Sequence, residues 1–407
     1  MAPMSPSARI RTVAVLALIG VVVAVLVLLT RPKSDDPGER PVVDFYAAPA
    51  ELPSKPGTLI RSEEAFGALP DDTRAWRILY TTTRDKGEPA VASALVIAKS
   101  GVEGERPVLA WAHGTTGVAQ DCAPSVQMDQ LTFGAIADLD NVVEQGWVVV
   151  ATDYVGLGTR GPHPYLIGQG EGRSVLDSVR AARQFSEVSL QSKTVVWGHS
   201  QGGHAALWAG ILAPTYAKDV DVVGVAGIAP ATNLGALARN LASAPGGVVF
   251  GAYLIASYSA AYPSLDFEDY VRVAALEPLR EMADHCISDT QPLIDLAQSP
   301  ALAKNYYSRD PDSGSLGARL AENSPTGKID APVLIAQGTT DALVLPATQD
   351  AYVAQRCASG SGGPLDYRTY KKLGHVTIIA PESPMLSDLL AWTKARFAGK
   401  AAPSTCR

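Results

Sequence analysis

The chain has 407 residues, 47% of them hydrophobic, enough to bury the core of one large domain or two of medium size. Its net charge is −7, with no basic cluster beyond a few Lys and Arg beside an apolar N-terminal segment, which excludes a polyanion partner and therefore nucleic acid. The four cysteines, Cys122, Cys286, Cys357 and Cys406, are widely spaced without a C-x-x-C pair, so disulfides of an exported protein are expected rather than metal or thioredoxin-like chemistry. By spacing alone, all three pairings stay open.

The first element is an apolar run over residues 13–29, preceded by Arg9 and Arg11 and followed by Arg31 and Lys33. Its 17 residues exceed the roughly 7–15 of a signal-peptide core and reach the low end of a membrane span. No small-x-small cleavage site follows directly, so an uncleaved signal anchor is expected over a cleaved signal peptide; both export the rest of the chain. Anchor and charged, Pro- and Gly-containing linker occupy residues 1–40, and a single domain is expected over 41–407.

Strand-like runs follow at 77–83, 90–98, 107–113, 147–153, 194–198, 221–229, 332–338 and 366–371. The later ones are short, continuous and apolar, as for central parallel strands covered on both faces. Helical patterns at 171–185 and 204–213 lie between them. This alternation predicts an α/β fold with a mostly parallel sheet and an antiparallel edge made by the first two strands. Residues 232–327 hold no convincing central strand and are far too long for a loop, so an inserted, mainly helical cap is expected there. Its aromatics Phe250, Tyr253, Tyr258 and Tyr262 are expected to pack its core, some of them also lining a ligand pocket.

Within "WGHSQGGH", Ser200 stands between Gly198 and Gly202, after a strand and before a helix. Glycines at these positions are what a sharp strand-to-helix turn needs to expose a nucleophilic serine, an arrangement that defines the α/β-hydrolase elbow. The arrangement makes two further demands: an acid after a later strand, and a histidine after the acid. Asp341 follows the run 332–338, whereas Asp330 precedes it and lies at the wrong edge of the sheet. Of six histidines, only His375 follows Asp341. The expected triad is therefore Ser200, His375 and Asp341. The oxyanion donors expected are the backbone N–H of Gln201 and one from "HGTTG", Thr115 or Thr116. His113 is read as positioning that loop or packing beneath it, His199 and His204 as structural, and His163 and His285 as satisfied bystanders. Asp153 is read as ordering the loop that follows it.

The chain resembles the secretory lipases of the α/β-hydrolase superfamily, the fungal lipase A type with its actinobacterial relatives. The resemblance is carried by "DFYAAPAELPSKPGTLIRSE" (44–63), "HGTTG" with "DCAPS" (121–125), "TDYVGLGTRGPHPYLIG" (152–168), "GHSQGGHAALWA" (198–209), "GTTDALV" and "GHV". It implies secretion, cofactor-free ester hydrolysis, a cap over an acyl site, and a triad at Ser200, Asp341 and His375. It also implies a disulfide from Cys122 to Cys286, leaving Cys357 for Cys406. The expectation is an exported, membrane-tethered, monomeric carboxylic ester hydrolase, triacylglycerol lipase or carboxylesterase, cleaving acyl esters such as lipids through an acyl-enzyme. Two alternatives stand beside it: an acyltransferase on cell-envelope lipids using the same triad, and a non-catalytic surface protein that binds an acyl ligand.

Overall fold

A strand buried on both faces sends alternate side chains into two different cores, and the third strand does this plainly. In the computed structural model, which describes residues 45–128, 136–288, 302, 305–360 and 362–406, Ala92, Ala94 and Val96 enter one core while Leu95 and Ile97 enter the other. Among the described residues nine strands form one sheet in the order β1-β2-β3-β5-β4-β6-β7-β8-β9. They are β1 (Leu59–Ala65), β2 (Thr73–Thr83), β3 (Pro89–Lys99), β4 (Arg106–Ala112), β5 (Val148–Thr152), β6 (Leu190–His199), β7 (Asp221–Ile228), β8 (Val333–Gly338) and β9 (Leu365–Tyr370). From β5 to β9 every neighbouring pair is parallel, so the sheet is mostly parallel as expected. The antiparallel edge is one strand wider than expected, because β1 pairs with β2 and β2 with β3, and β3 joins β5 antiparallel.

The helices before the cap are α1 (Leu139–Glu144), α2 (Gly168–Ala182) and α3 (Gln201–Tyr216). The cap, between β7 and β8, carries α4 (Leu234–Leu241), α5 (Gly247–Ala261), α6 (Phe267–Tyr270), α7 (Leu276–Ala283) and α8 (Gly314–Asn323). After it come α9 (Pro346–Ser359) and α10 (Pro384–Phe397). Helices α2, α3 and α9 cover one face of the sheet, while α1 and α10 cover the other. The cap has a core of its own around Tyr253, Tyr258, Leu279, Met282 and Tyr306, continuous with Tyr165, Leu166 and Ile167 of the loop after β5.

Two disulfides staple the fold, Cys122–Cys286 and Cys357–Cys406, the pairing the family resemblance implies. The first joins the loop after β4 to the cap, and the second holds the C-terminal tail against α9. That tail runs beside β9, where Thr405 N–H donates to the Leu365 carbonyl (2.6 Å) and its Oγ1 accepts from Tyr367 N–H (2.8 Å). The apolar run 13–29 and its linker lie outside the described residues. Among those described, no helix is long and apolar enough to cross a membrane.

Candidate active site

The strand β6 ends at His199 and α3 begins at Gln201, so Ser200 alone makes the turn, with φ 57° and ψ −117°. Side-chain-bearing residues rarely adopt such a conformation, and it persists only where the surroundings over-determine it. Here Ser200 N–H donates to the Ile228 carbonyl (2.9 Å), while its own carbonyl accepts from His204 N–H (3.1 Å) and Ala231 N–H (3.2 Å). The flanking glycines are required by contact: a Cβ on Gly198 would lie 2.0 Å from the Gly202 carbonyl oxygen, and one on Gly202 1.9 Å from that of Ala112.

Asp341 sits in the turn after β8 and is almost fully buried. Its Oδ1 accepts from the N–H groups of Leu343 and Val344, both at 2.9 Å, which aims Oδ2 outward to His375. His375, in the loop after β9, places Nδ1 2.8 Å from Asp341 Oδ2 and Nε2 2.8 Å from Ser200 Oγ. A carboxylate only accepts, so Nδ1 carries the proton and Nε2 keeps the lone pair that can take one from the serine hydroxyl. The structure thus brings together all three residues singled out in the sequence. Gln337 Nε2 also reaches Asp341 Oδ2 (3.2 Å), a contact with no sequence signal.

The expected oxyanion segment passes directly beside Ser200. A Cβ on Gly114 would stand 3.9 Å from Ser200 Cβ and 3.3 Å from His199 Nδ1. Thr115 Oγ1 hydrogen-bonds the Tyr165 hydroxyl (2.9 Å), while Thr116 is buried and its carbonyl accepts from Ile287 N–H (2.8 Å) in the cap. Gly117, at φ +144°, lies flat against the Cys122–Cys286 bridge. Gln201 opens α3, where first-turn N–H groups have no intrahelical acceptor. Its side-chain Nε2 donates to Glu171 Oε1 (2.7 Å) and to His163 Nε2 (3.0 Å).

Three further histidines, His204, His163 and His113, are buried and hydrogen-bonded. His204 is fully buried between Glu171 Oε2 (2.7 Å) and the Asn323 carbonyl (2.8 Å), tying α2, α3 and the cap together. Neither Glu171 nor Asn323 was visible as a partner in the sequence, where they lie 33 and 119 residues away. His163 bonds the Val155 carbonyl, and burial pushes its pKa down to about 3. His113 is likewise pushed down by burial and bonds the Gly114 carbonyl (2.6 Å) under the oxyanion segment. The Asp153 carboxylate accepts from Ser93 Oγ and Ser125 N–H, anchoring the Cys122 loop to β3. Of the four cap aromatics, Tyr253, Tyr258 and Tyr262 are buried in the cap. Phe250 instead joins Leu237, Leu241, Leu343 and Val344 around a small pocket that reaches Ser200.

A mostly parallel sheet with a serine elbow after β6, an acid after β8 and a histidine after β9 defines an α/β hydrolase. The profile of the secretory lipase family matches residues 122–405, and the chain belongs to that family of exported ester hydrolases, lipases and esterases. It is 27% identical over 401 residues to a Mycobacterium tuberculosis protein described as a probable inactive lipase, covering 90% of this chain and 83% of that one. It is 24% identical over 426 residues to lipase 6 of Candida albicans, covering 96% and 87%. The fold matches Candida antarctica lipase A with a TM-score of 0.75 at 20% identity, covering 90% of this chain and 89% of that one.

Proposed function

We propose that this protein hydrolyses carboxylic acyl esters, lipids among them, with Ser200 as nucleophile, His375 as general base and acid, and Asp341 as its orienting carboxylate. The observation that carries the reading is His375 spanning Ser200 Oγ and Asp341 Oδ2 at 2.8 Å each. Ser200 Oγ attacks the ester carbonyl as its proton passes to His375 Nε2. The oxyanion that forms is met by the Gln201 N–H and by an N–H of the Thr115–Thr116 segment. His375 returns the proton to the leaving alcohol and an acyl-enzyme remains; His375 then takes a proton from water as it attacks the acyl carbon, and returns it to Ser200 Oγ as the acyl–serine bond breaks and the acid leaves. Residues 232–327 act as the cap over the acyl group, and the apolar run 13–29 serves export as an uncleaved anchor.

One relative is described as inactive, so the non-catalytic reading is the one to be tested against. Hydrolysis of 4-nitrophenyl esters from acetate to palmitate is compared between the wild type and Ser200→Ala. The triad reading expects turnover by the wild type and a loss of at least about a thousandfold in the variant. Equal rates, or no turnover by either protein at any chain length, would overturn it and put acyl-ligand binding in its place.

A further inference from the structure

We infer that His199 is a positioning residue, whose ring sets the spacing between the loop that carries His375 and the oxyanion segment that carries Gly114. The inference rests on the triad reading above. His199 Nε2 lies 2.8 Å from the backbone carbonyl oxygen of His375, and because a carbonyl only accepts, that nitrogen holds the proton and donates. The two imidazole rings lie 4.8 Å apart, tilted by 40°. On its other side the His199 ring abuts Gly114, close enough that a Cβ there would already be tight against Nδ1. One side chain therefore touches both the loop of the base and the loop of the proposed oxyanion donors, and it does so from the residue next to the nucleophile.

The His375 loop needs such a peg. Its neighbour Val376 is 69% exposed, and the bond from Gly374 N–H to Thr377 Oγ1 is internal to the loop. From the sheet side, Thr340 N–H holds the Leu373 carbonyl (3.0 Å). The His199 bond adds a backbone attachment at the residue that bears the base, beside the loop's bonds to Thr339 and Thr340 and the side-chain bonds of His375 to Asp341 and Ser200. Burial, and then the neighbouring His375, push the His199 pKa down to about 3, so the ring stays neutral while His375 becomes cationic during turnover. A charged ring in this place would oppose the imidazolium.

Displacement of a catalytic group by about 1 Å costs on the order of a hundredfold in rate while leaving substrate contacts intact. The test uses the full chain and a short 4-nitrophenyl ester. It compares wild type, His199→Leu, which cannot donate, His199→Gln, which can reach the carbonyl, and Ser200→Ala. We expect His199→Leu to lower kcat about 10- to 100-fold with KM within about twofold, and its rate of phosphonylation by a phosphonate ester to fall in parallel. His199→Gln should recover most of the loss. Cooperative unfolding is verified for each variant, and His199→Asn, too short to reach, replaces His199→Leu if that one does not fold. Wild-type kcat in the non-donating variant, or equal loss in His199→Gln, would overturn the inference and leave the triad standing. Full activity in Ser200→Ala would instead remove the triad, and this inference with it.

Discussion

Replacing Cys122 and Cys286 together by alanine removes a cross-link across 164 residues, whereas replacing Cys357 and Cys406 removes one across 49. Restricting the unfolded chain over those spans stabilises the fold by about 5 and about 4 kcal/mol respectively. The two loops do not overlap in sequence, so the losses should add in the quadruple variant to a large part of a stability that is typically about 5–15 kcal/mol. The similar stability costs should come with different catalytic ones. Cys122 Sγ lies where a Cβ on Gly117 would fall, and Ile287, next to Cys286, donates to the Thr116 carbonyl, so the first bridge braces the proposed oxyanion segment. The second bridge holds only the tail and α9. Guanidinium unfolding gives the stability of each pair variant, and kcat is read where all are folded. The Cys122/Cys286 variant should lose about tenfold or more in kcat, a fraction of the roughly 100- to 1,000-fold attached to a lost oxyanion donor. The Cys357/Cys406 variant should keep wild-type kcat. Equal kcat losses, or none in the first variant, would refute the coupling of the bridge to the oxyanion segment.

Asp341→Asn should lower kcat about ten-thousandfold by forcing the wrong tautomer on His375, while its retained oxygen still accepts from Leu343 and Val344 and keeps the unfolding midpoint near that of the wild type; a loss under tenfold would count against the triad. His163 and His199 are pushed from about 6.5 to about 3, so the unfolded chain takes up protons that the folded one refuses. Stability carried by these rings is fully present above about pH 6.5. It should be lost toward pH 3 at up to about 1.4 kcal/mol per pH unit for each ring, with the upward-shifted Asp153 acting in the opposite sense. Urea midpoints measured from pH 7 to pH 5 should fall, and a flat series would refute the assignment. Phe250→Ala enlarges the small pocket beside Ser200 and should move the chain-length optimum of 4-nitrophenyl ester hydrolysis toward longer acyl groups, read as a rise of about tenfold in the octanoate-to-acetate ratio of kcat/KM.

The parts of the site that were legible are those with a local rule behind them. The elbow at Ser200 needs Gly198 and Gly202 at fixed offsets, placement at the C-terminal end of a late strand selects Asp341, and chain order then selects His375. Contacts made at long range carry no such mark. Glu171 reaches His204 and Gln201 because α2 packs against α3, and the choice of Asn323 depends on how the cap closes on both. Strand β1 escaped detection because "LIRSEEA" is an edge strand with one neighbour: only Ala65 is buried and the glutamates face solvent, so no apolar alternation exists to read. Helix α2 starts at Gly168 rather than at Glu171. Its first residues include glycines that the propensity scale counts against a helix, yet Gly168 is needed where Trp208 crosses, since a Cβ there would fall 2.0 Å from the indole.

The tail that runs beside β9 bears on how this protein survives outside the cell. An open sheet ends in two rows of unpaired backbone groups, each a template for a strand of another molecule. At one end β1 defends itself with Arg61, Glu63 and Glu64. At the other, Thr405 occupies backbone groups of Leu365 and Tyr367, and the adjacent Cys406 fastens that cover covalently to Cys357. Cutting that fastening exposes an adhesive margin on a protein whose triad is untouched, so its first symptom is clumping at high concentration rather than lost turnover in dilute solution.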